Sequence, residues 1–293
     1  MHSIQPGILM EVPHVARYLL FSLKPGVQAN DSLRALGNSV DGELAVVGIG
    51  HSLLRALGCN ITDMRDFPTH TGPGISVPST PAALWIWLRG DDQGELLHQT
   101  RQYEQLLADA FVLDDVIDAF QYKDSRDLTG YEDGTENPED QDAVNAAIVQ
   151  GQGAGLDGSS FVAVQQWLHN LDQFQAMNQK DQDNTIGRRI SDNEEIEEAP
   201  ESAHVKRTAQ EDFEPEAFVL RRSMPWIEGK QSGLIFVAFG HSFYAFEALL
   251  KRMVGEDDGI TDALFNFTHP VSGSYFWCPP VKNKRLDLSI LDL

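Results

Sequence analysis

The stretch GYEDGTENPED, residues 130–140, combines several carboxylates with two glycines and a proline. Asp133 stands before Gly134, and its carboxyl group could give or take a proton if its surroundings raised its pKa from an unperturbed value of about 3.9. Asp-Gly is also a common turn dipeptide, because Asp hydrogen-bonds its own backbone and Gly tolerates a positive φ. Taken alone, the segment favours an ordinary turn, and acid–base chemistry is the sharper alternative.

Two later segments carry groups that could work with such a carboxyl group. ESAHVKRT, residues 201–208, holds His204, whose imidazole can ligate a metal. FVLRRSMPW, residues 218–226, holds Arg221 and Arg222, whose guanidinium groups can stabilise negative charge. A lone His is more often structural or exposed, and both arginines could be strand-edge charges. Neighbours in a strand point to opposite faces, so only one of the two arginines can face a given site.

The order of these segments resembles the dye-decolorizing, or DyP-type, heme peroxidase family, in its bacterial cytoplasmic branch. The family motif G-x-x-D-G is matched by GYEDG at 130–134, and the match extends through TENP at 135–138. A downstream His and an L-R-x-[NS]-M-P segment are matched by His204 and by LRRSMP at 220–225. Further matches spread the resemblance over nearly the whole chain: IGRR at 186–189, GLIFVAF at 233–239 and FTHPVSGSYFWCPP at 267–280.

The resemblance implies one heme b (iron protoporphyrin IX) per chain, with His204 as the axial ligand of the iron. It implies that Asp133 is the distal acid/base group and Arg221 the distal cation, both beside the bound cofactor. Ser223 lies two residues after Arg221, hence on the same strand face, and is expected to support the distal pocket. A carboxylate acts as a base at acidic pH, or nearer neutrality if burial raises its pKa, so we expect an acidic optimum.

Two further assignments follow from the resemblance and leave alternatives open. Arg189 is the candidate partner of a heme propionate and Arg188 is the alternative, although both could instead pair with the acidic loop at 191–202. The axial His is expected to donate its other ring N–H to an acceptor that fixes the ring. Asn266 stands in the position of the family's Asp, and Asp262 is the competing candidate for this acceptor on the proximal side.

The reaction implied is reduction of hydrogen peroxide coupled to one-electron oxidation of organic reductants, such as dyes and phenolics, through a ferryl intermediate. The protein would then be an oxidoreductase whose partners are peroxide and small aromatic reductants. The alternative function is binding heme or handling its iron, as a deferrochelatase-like protein would, because the same pocket would serve. A third interpretation places a divalent metal on the acid-rich loops at 130–142 and 191–201, but these lack the EF-hand spacing.

Alternating strand and helix patterns must position these groups. The first half predicts strands at 14–23, 43–50, 83–89 and 111–122, with helices at 30–39 and 92–110. This β-α-β, β-α-β order is the split pattern of a ferredoxin-like unit. The second half repeats it, with predicted strands at 160–169, 217–221, 233–240 and 273–278 and helices at 171–179 and 242–254.

The expected fold class is therefore α+β, with two tandem ferredoxin-like units and antiparallel sheets. The Gly-rich segment GQGAGLDGSS, residues 151–160, supports a boundary between the two units. We predict an N-terminal unit at 1–145 and a C-terminal unit at 146–293, the second carrying most of the heme pocket.

Bulk composition limits the partners. The chain has 293 residues and a net charge of −22, which argues against nucleic acid, because phosphate binding requires clustered Lys and Arg. Cys59 and Cys278 predict neither a disulfide framework nor a zinc site. The N-terminus MHSIQPGILMEV lacks the pattern of a signal peptide, and no stretch approaches the roughly 18 apolar residues of a membrane span. We therefore expect a cytoplasmic protein away from membranes, and a homodimer or higher homo-oligomer, because ferredoxin-like sheets commonly pair.

Overall fold

The computed structural model describes residues 4–293, and the first three residues of the N-terminal segment interpreted above lie outside the described part. In the first half, the strands are β1 (Val15–Leu23), β2 (Ala45–Gly50), β3 (His70–Gly72), β4 (Ile75–Val77), β5 (Leu84–Gly90) and β6 (Phe111–Phe120). The helices of this half are α1 (Pro6–Leu9), α2 (Asn30–Ser39), α3 (His51–Ala56), α4 (Gln93–Leu107) and α5 (Asp140–Ala147).

The second half again alternates strands with helices. Its strands are β7 (Ser160–His169), β8 (Leu220–Arg221), β9 (Met224–Glu228), β10 (Gln231–Gly240), β11 (Thr268–Pro270), β12 (Ser274–Cys278), β13 (Val281–Lys282) and β14 (Arg285–Leu286). Its helices are α6 (Leu171–Gln175), α7 (Gln179–Ile186), α8 (His204–Arg207) and α9 (Tyr244–Val254). Short 3-10 helices lie at Gln210–Asp212, Ala263–Asn266 and Ser289–Leu291.

Both halves use the same strand order. Four strands of the first half lie side by side as β6-β1-β5-β2, and four of the second as β12-β7-β10-β9. Numbered along the chain within each half, both orders are fourth, first, third, second, with antiparallel pairing throughout. This is the ferredoxin-like arrangement, and the predicted α+β class with two tandem units is confirmed.

The two four-stranded sheets join edge to edge at both sides. β2 pairs with β12, where Gly50 lies opposite Phe276, and β6 meets β9, where Ala119 lies opposite Trp226. Eight strands therefore form a closed circuit, which leaves no free edge on the four strands of either unit. The strands β8 and β11 add to the same sheet by pairing with β10 and β7.

Strand β5 shows why the sequence runs apolar without alternation in this fold. Trp85 and Trp87 pack in the core inside the circuit, while Ile86 packs in the larger core between the sheet and the helices. Because both faces of the strand are buried, both sets of side chains must be apolar. At the end of the same inner row, Arg89 is buried and donates to backbone carbonyls of residues 11 and 43.

The predicted and observed elements differ most where side chains cap the backbone. The predicted helix at 171–179 is two helices, because the side chain of Asn178 accepts a hydrogen bond from the amide of Asp181 and begins α7 anew. The predicted strand at 217–221 shrinks to β8, because the side chain of Gln210 accepts from the amide of Val219. Strand β9, which contains Pro225, was not predicted.

The proposed division of the chain stays a prediction. Its boundary between residues 145 and 146 lies inside helix α5, Asp140–Ala147, upstream of the Gly-rich turns at 151–158. Within residues 4–293, no helix combines the length and apolar character required to cross a membrane.

Candidate active site

The motif GYEDG folds as part of a tight hairpin over residues 125–133. The amide of Asp133 donates to the carbonyl oxygen of Ser125 at 3.1 Å, which closes the hairpin. Gly130, at the turn, has a φ of 94°, a conformation that is strained for residues with a side chain. The turn interpretation and the chemical one are therefore compatible, because the turn is what fixes the direction of the Asp133 side chain.

Asp133 faces a guanidinium group from strand β8. The Arg221 Nε and the Asp133 Oδ1 lie 4.0 Å apart, and the two side chains are 18% and 28% exposed. Asn137, from the same loop, fastens the strand by accepting from the amide of Arg221 at 2.8 Å and donating to its carbonyl at 3.2 Å. The loop and the strand are thus tied at the backbone, while the carboxylate and the guanidinium keep a gap between them.

Arg222 points away from this pair, as strand alternation requires. Its guanidinium donates to the carbonyl of Leu9 at 2.8 Å, on the opposite side of the sheet. Burial and the nearby charge of Arg89 lower its pKa to about 10. Choosing Arg221 over Arg222 therefore agrees with the direction of both side chains.

His204 begins helix α8 and is held at one ring nitrogen. Its Nδ1 donates to the Asp262 Oδ2 at 2.7 Å, and the Asp262 side chain is fully buried. The second carboxylate oxygen of Asp262 accepts from the amide of Leu264 at 2.9 Å, so the carboxylate is itself fixed. Because Nδ1 is engaged, the imidazole presents Nε2 as its free nitrogen, and the ring is 32% exposed.

One cavity contains all three groups. Asp133 and Arg221 line it from the hairpin and β8, and His204 lines it from the start of α8. The walls between them are largely apolar and include Trp167, Leu234, Phe236, Leu249, Met253 and Phe267. A concave, mostly apolar pocket with a few convergent polar groups is the usual form of a cofactor site.

The cavity changes the acid strength of Asp133. Burial raises its pKa, and the positive charge of Arg221 opposes the rise. The charge of Asp127 raises the pKa further, whereas His204 and the amide of Gly134 lower it. The balance is a pKa above the ordinary Asp value, which brings the carboxyl group closer to a working acid–base range.

Comparison with known proteins identifies the family of this chain. The family model described as Dyp-type peroxidase, C-terminal, matches residues 124–283, which is over half of the chain. This chain belongs to the Dyp-type peroxidase family. The match runs from the hairpin that carries Asp133 through His204 and Arg221 to the last strands.

Similar proteins span most of the chain. A dye-decolorizing peroxidase of Rhodococcus erythropolis is 29% identical over 296 residues, covering 94% of this chain and 87% of its own length. The crystal structure of a dyp-type peroxidase protein from Shewanella oneidensis superposes with a TM-score of 0.89 at 29% identity, covering 99% of this chain and 98% of that one. The family, the fold class and the peroxidase function predicted from the sequence are confirmed.

A second similar structure contains a cofactor. A variant of DypB from Rhodococcus jostii in complex with heme superposes with a TM-score of 0.83 at 26% identity, covering 93% of this chain and 94% of that one. The donor set of the present cavity fits such a group. An imidazole held by a carboxylate is the axial ligand that heme peroxidases use, and the apolar walls suit a porphyrin face.

The structure brings only one of the two candidate propionate partners to the cavity. Arg188 lines it and is 11% exposed, with its guanidinium 2.5 Å from Glu136. Arg189 is 42% exposed and pairs with Asp192 and Glu194 in the acidic loop that follows, so the structure does not bring it to the site. These neighbours point in different directions, as do Arg221 of β8 and Arg222, which follows it.

Two other predicted site residues lie at the margin. The Ser223 hydroxyl accepts from the amide of Val237 at 3.4 Å and is not among the residues that line the cavity. Asn266 ends the 3-10 helix Ala263–Asn266 with its side chain exposed. The hydrogen bond from His204 is instead accepted by Asp262, which is the N-cap of the same short helix.

The cavity also contains a polar cluster that was not predicted. The Nε2 of His169 lies 2.9 Å from the Asp127 Oδ2, and its Nδ1 lies 2.6 Å from the Thr268 hydroxyl. All three line the cavity. The alternation of side chains along strand β7 could have predicted this placement. His169 lies two and four residues after Trp167 and Gln165, which also line the cavity.

The divalent-metal alternative finds no arrangement to support it. Among residues 4–293, no three His, Cys, Asp or Glu side chains are grouped so that they could hold a metal ion. Three acidic residues of the loop at 191–198, Asp192, Glu194 and Glu195, instead pair with Arg188, Arg189 and Lys206.

Proposed function

We propose that Asp133, Arg221 and His204 form the active site of this heme peroxidase, in the cavity that they line. The protein reduces hydrogen peroxide and oxidises organic reductants, and its cofactor is heme. The observation that carries the assignment of residues is the presence in one apolar-walled cavity of a carboxyl–guanidinium pair and a carboxylate-held imidazole.

His204 is the residue that holds the heme iron. Its Nδ1–H is committed to Asp262 at 2.7 Å, so the tautomer is fixed and Nε2 carries the free lone pair. A buried carboxylate acceptor raises the basicity of the imidazole and gives it anionic character. When bound, heme would supply the redox chemistry, and His204 is the residue that would hold its iron.

Asp133 is the residue that moves the proton. To release water from hydrogen peroxide, a proton must pass from one peroxide oxygen to the other while the O–O bond breaks. The Asp133 carboxylate accepts the proton from the first oxygen and returns it to the second. Because burial raises the pKa of Asp133, its carboxylate is a stronger base than that of an ordinary Asp, while protonation confines the base form to pH values above that pKa.

Arg221 is the residue that stabilises negative charge on peroxide once its proton has left. The gap of 4.0 Å between Arg221 and Asp133 is too long for a hydrogen bond, so both side chains keep free bonding capacity for peroxide oxygens. A preorganised cation in a cavity of low dielectric stabilises developing charge more than it would in water.

Arg188, and not Arg189, is the propionate partner that we propose. Arg188 already lines the cavity, and its guanidinium can turn from the exposed Glu136 toward a bound carboxylate. The surface pair of Arg189 with the acidic loop leaves it no path to the site. The heme-handling alternative would use the same cavity, and no contact among residues 4–293 favours it over peroxidase chemistry.

Absorption spectra of purified variants test the assignment. His204→Ala should lose the Soret band of bound heme, whereas His98→Ala, on the exposed face of α4, should keep it. Asp133→Asn should keep heme and react with peroxide about 10²–10⁴-fold more slowly. In the same series Arg188→Gln should weaken heme retention, and Arg189→Gln should not. Full heme loading in His204→Ala, or an unchanged peroxide rate in Asp133→Asn, would refute the corresponding role.

We propose a cytoplasmic location and a homodimer or higher homo-oligomer. Because the edge strands of the two units pair within one chain, an oligomer would have to use other surfaces. Sedimentation velocity of the heme-loaded protein would show a single monomeric species if the oligomer proposal is wrong.

A further inference from the structure

The hairpin at 125–133 carries a second carboxylate on the face that holds Asp133. The amide of Asp127 donates to the carbonyl of Tyr131 at 2.9 Å, and the amide of Asp133 donates to that of Ser125 at 3.1 Å. Asp127 and Asp133 are therefore diagonal neighbours across the hairpin, which in a regular antiparallel pair are about 7–8 Å apart. Both side chains line the cavity.

Asp127 is held in place by contacts that Asp133 lacks. Its Oδ1 accepts from the amide of Thr129 at 2.8 Å, and its Oδ2 lies 2.9 Å from the Nε2 of His169. The other ring nitrogen of His169 meets the hydroxyl of Thr268 at 2.6 Å, and that hydroxyl donates to the carbonyl of Leu168. The side chains of His169 and Asp127 are 5% and 17% exposed, so this chain of contacts is shielded from water.

The two carboxylates of the hairpin have opposite environments. Burial alone would raise the pKa of Asp127, but the hydrogen bond and charge of His169, with the bonds from Thr129, hold it below the usual Asp value. Burial raises the pKa of Asp133, with the charge of Asp127 adding to the rise. Two neighbouring acids whose pKa values are pushed apart are the arrangement by which enzymes give one carboxyl a fixed charge and the other a proton to exchange.

We propose that Asp127, clamped by His169 and Thr129, is a positioning residue whose fixed negative charge acts on the proton exchange of Asp133 across the hairpin. Its effect opposes that of Arg221, the cation that faces Asp133 from β8, and that of His204, which faces it from the start of α8. Asp127 thereby sets the pH at which the peroxide reaction begins to fail on the acidic side. The inference rests on the proposed role of Asp133 as the proton carrier.

The test compares heme-loaded Asp127→Asn with wild type by two measurements. Infrared difference spectra, taken between wild type and Asp133→Asn, isolate the protonated carboxyl band of Asp133 in the resting enzyme without peroxide. Subtracting the spectrum of the double variant Asp127→Asn/Asp133→Asn from that of Asp127→Asn isolates the same Asp133 band in the variant. Stopped-flow measurements of the reaction with hydrogen peroxide across pH give the acidic limb of the rate profile.

Removal of the Asp127 charge should move the infrared titration and the acidic limb to lower pH together. At a fixed pH on that limb the peroxide reaction should become about threefold faster, as a move of half a pH unit requires. Asp124→Asn, which removes an exposed charge from the start of the same loop, is the matched control and should move neither. In an Asp133→Asn background, adding Asp127→Asn should cause no movement of the rate profile.

A second variant covers the case in which Asp127→Asn does not fold. His169→Gln keeps an N–H donor for Asp127 but removes the group that can balance its charge, so the titration and the limb should move to higher pH. Unmoved profiles in both variants, or an equal movement in Asp124→Asn, would overturn the inference. A failure of the proposed function is distinguishable from a failure of this inference. In that case Asp133→Asn would keep the wild-type rate of reaction with hydrogen peroxide, while the infrared titration of Asp133 would still move in Asp127→Asn.

Discussion

The two walls of the active-site cavity are built in opposite ways. On the His204 side, the imidazole is 2.7 Å from a fully buried carboxylate that is itself bonded to the backbone. On the Asp133 side, the carboxylate and the Arg221 guanidinium are 4.0 Å apart and partly exposed. On the first wall a side-chain hydrogen bond locks the imidazole, whereas on the second the carboxylate and the guanidinium are not hydrogen-bonded to each other, and the Asn137 side chain ties the loop to the backbone of Arg221.

The difference follows from what each wall must do. A ligand to iron must keep one orientation and one tautomer, so its second nitrogen is committed to a fixed acceptor. A proton carrier and a charge stabiliser must instead have capacity to bond to a substrate that arrives and leaves. Bonds within the Asp133 wall would compete with peroxide, which is why a hydrogen-bonded carboxyl–guanidinium pair would be a poorer catalyst than a separated one.

The largest effect is expected from loss of the Arg221 guanidinium, on the wall that carries Asp133, which we call the open wall. Arg221→Gln should lower the second-order rate constant for reaction with hydrogen peroxide about 10²–10³-fold, because a preorganised charge is lost where negative charge develops. Stopped-flow absorbance of the heme-loaded variant measures it. Arg222→Gln is the matched control, since its side chain faces Leu9 across the sheet; it should lower the unfolding temperature and leave the rate constant within about twofold. Equal rate losses in both variants would contradict the assignment of faces.

A smaller effect is expected from weakening the wall formed by His204 and Asp262, which we call the locked wall. Asp262→Asn replaces the carboxylate that accepts from His204 with a neutral amide, so heme affinity should fall about 10–100-fold, and the Fe(III)/Fe(II) potential should rise. Heme transfer to an acceptor protein and a redox titration measure the two quantities. Asn266→Ala, at the exposed competing position, should leave both unchanged, and a change there as large as in Asp262→Asn would restore Asn266 as the partner.

The smallest effect is expected in stability, and here the two walls should differ in sign. Because the pKa of Asp133 is raised above its unfolded value, the folded chain binds more protons than the unfolded chain between the two pKa values. Stability therefore falls as pH rises through that window, and the loss persists at neutral pH. Asp133→Asn should raise the unfolding temperature at neutral pH, with the gain vanishing below about pH 3, whereas Asp262→Asn should lower it. A lower unfolding temperature for Asp133→Asn at neutral pH would show that the open wall stabilises the fold.

Local patterns were sufficient for most of the fold. Helix α2 and strand β7 have the predicted bounds, Asn30–Ser39 and Ser160–His169, because each has a clear apolar period. The repeated order of elements predicted two ferredoxin-like units, and strand pairing bears this out. Strand β9 and the break between α6 and α7 escaped prediction, because they depend on a partner strand and on a single capping side chain.

The proposed active site was predictable in part for a related reason. Asp133, His204 and Arg221 belong to motifs that are recognised by their order along the chain. Alternation along a strand separates Arg221 from Arg222. The direction of side chains in loops follows no such regular alternation. The choice between Arg188 and Arg189, and between Asp262 and Asn266, depends on how the segments at 186–198 and 258–268 turn back upon the cavity.

By itself the sequence determined which chemical groups this peroxidase has and the alternation of strands and helices that carries them, because periodicity and motif order are properties of neighbouring residues. Only the tertiary structure decided which groups meet. His169 and Asp127 are 42 positions apart along the chain and 2.9 Å apart in space. Closing the two sheets into one circuit sets the distances between walls, and those distances, together with burial, give each carboxylate its own affinity for a proton.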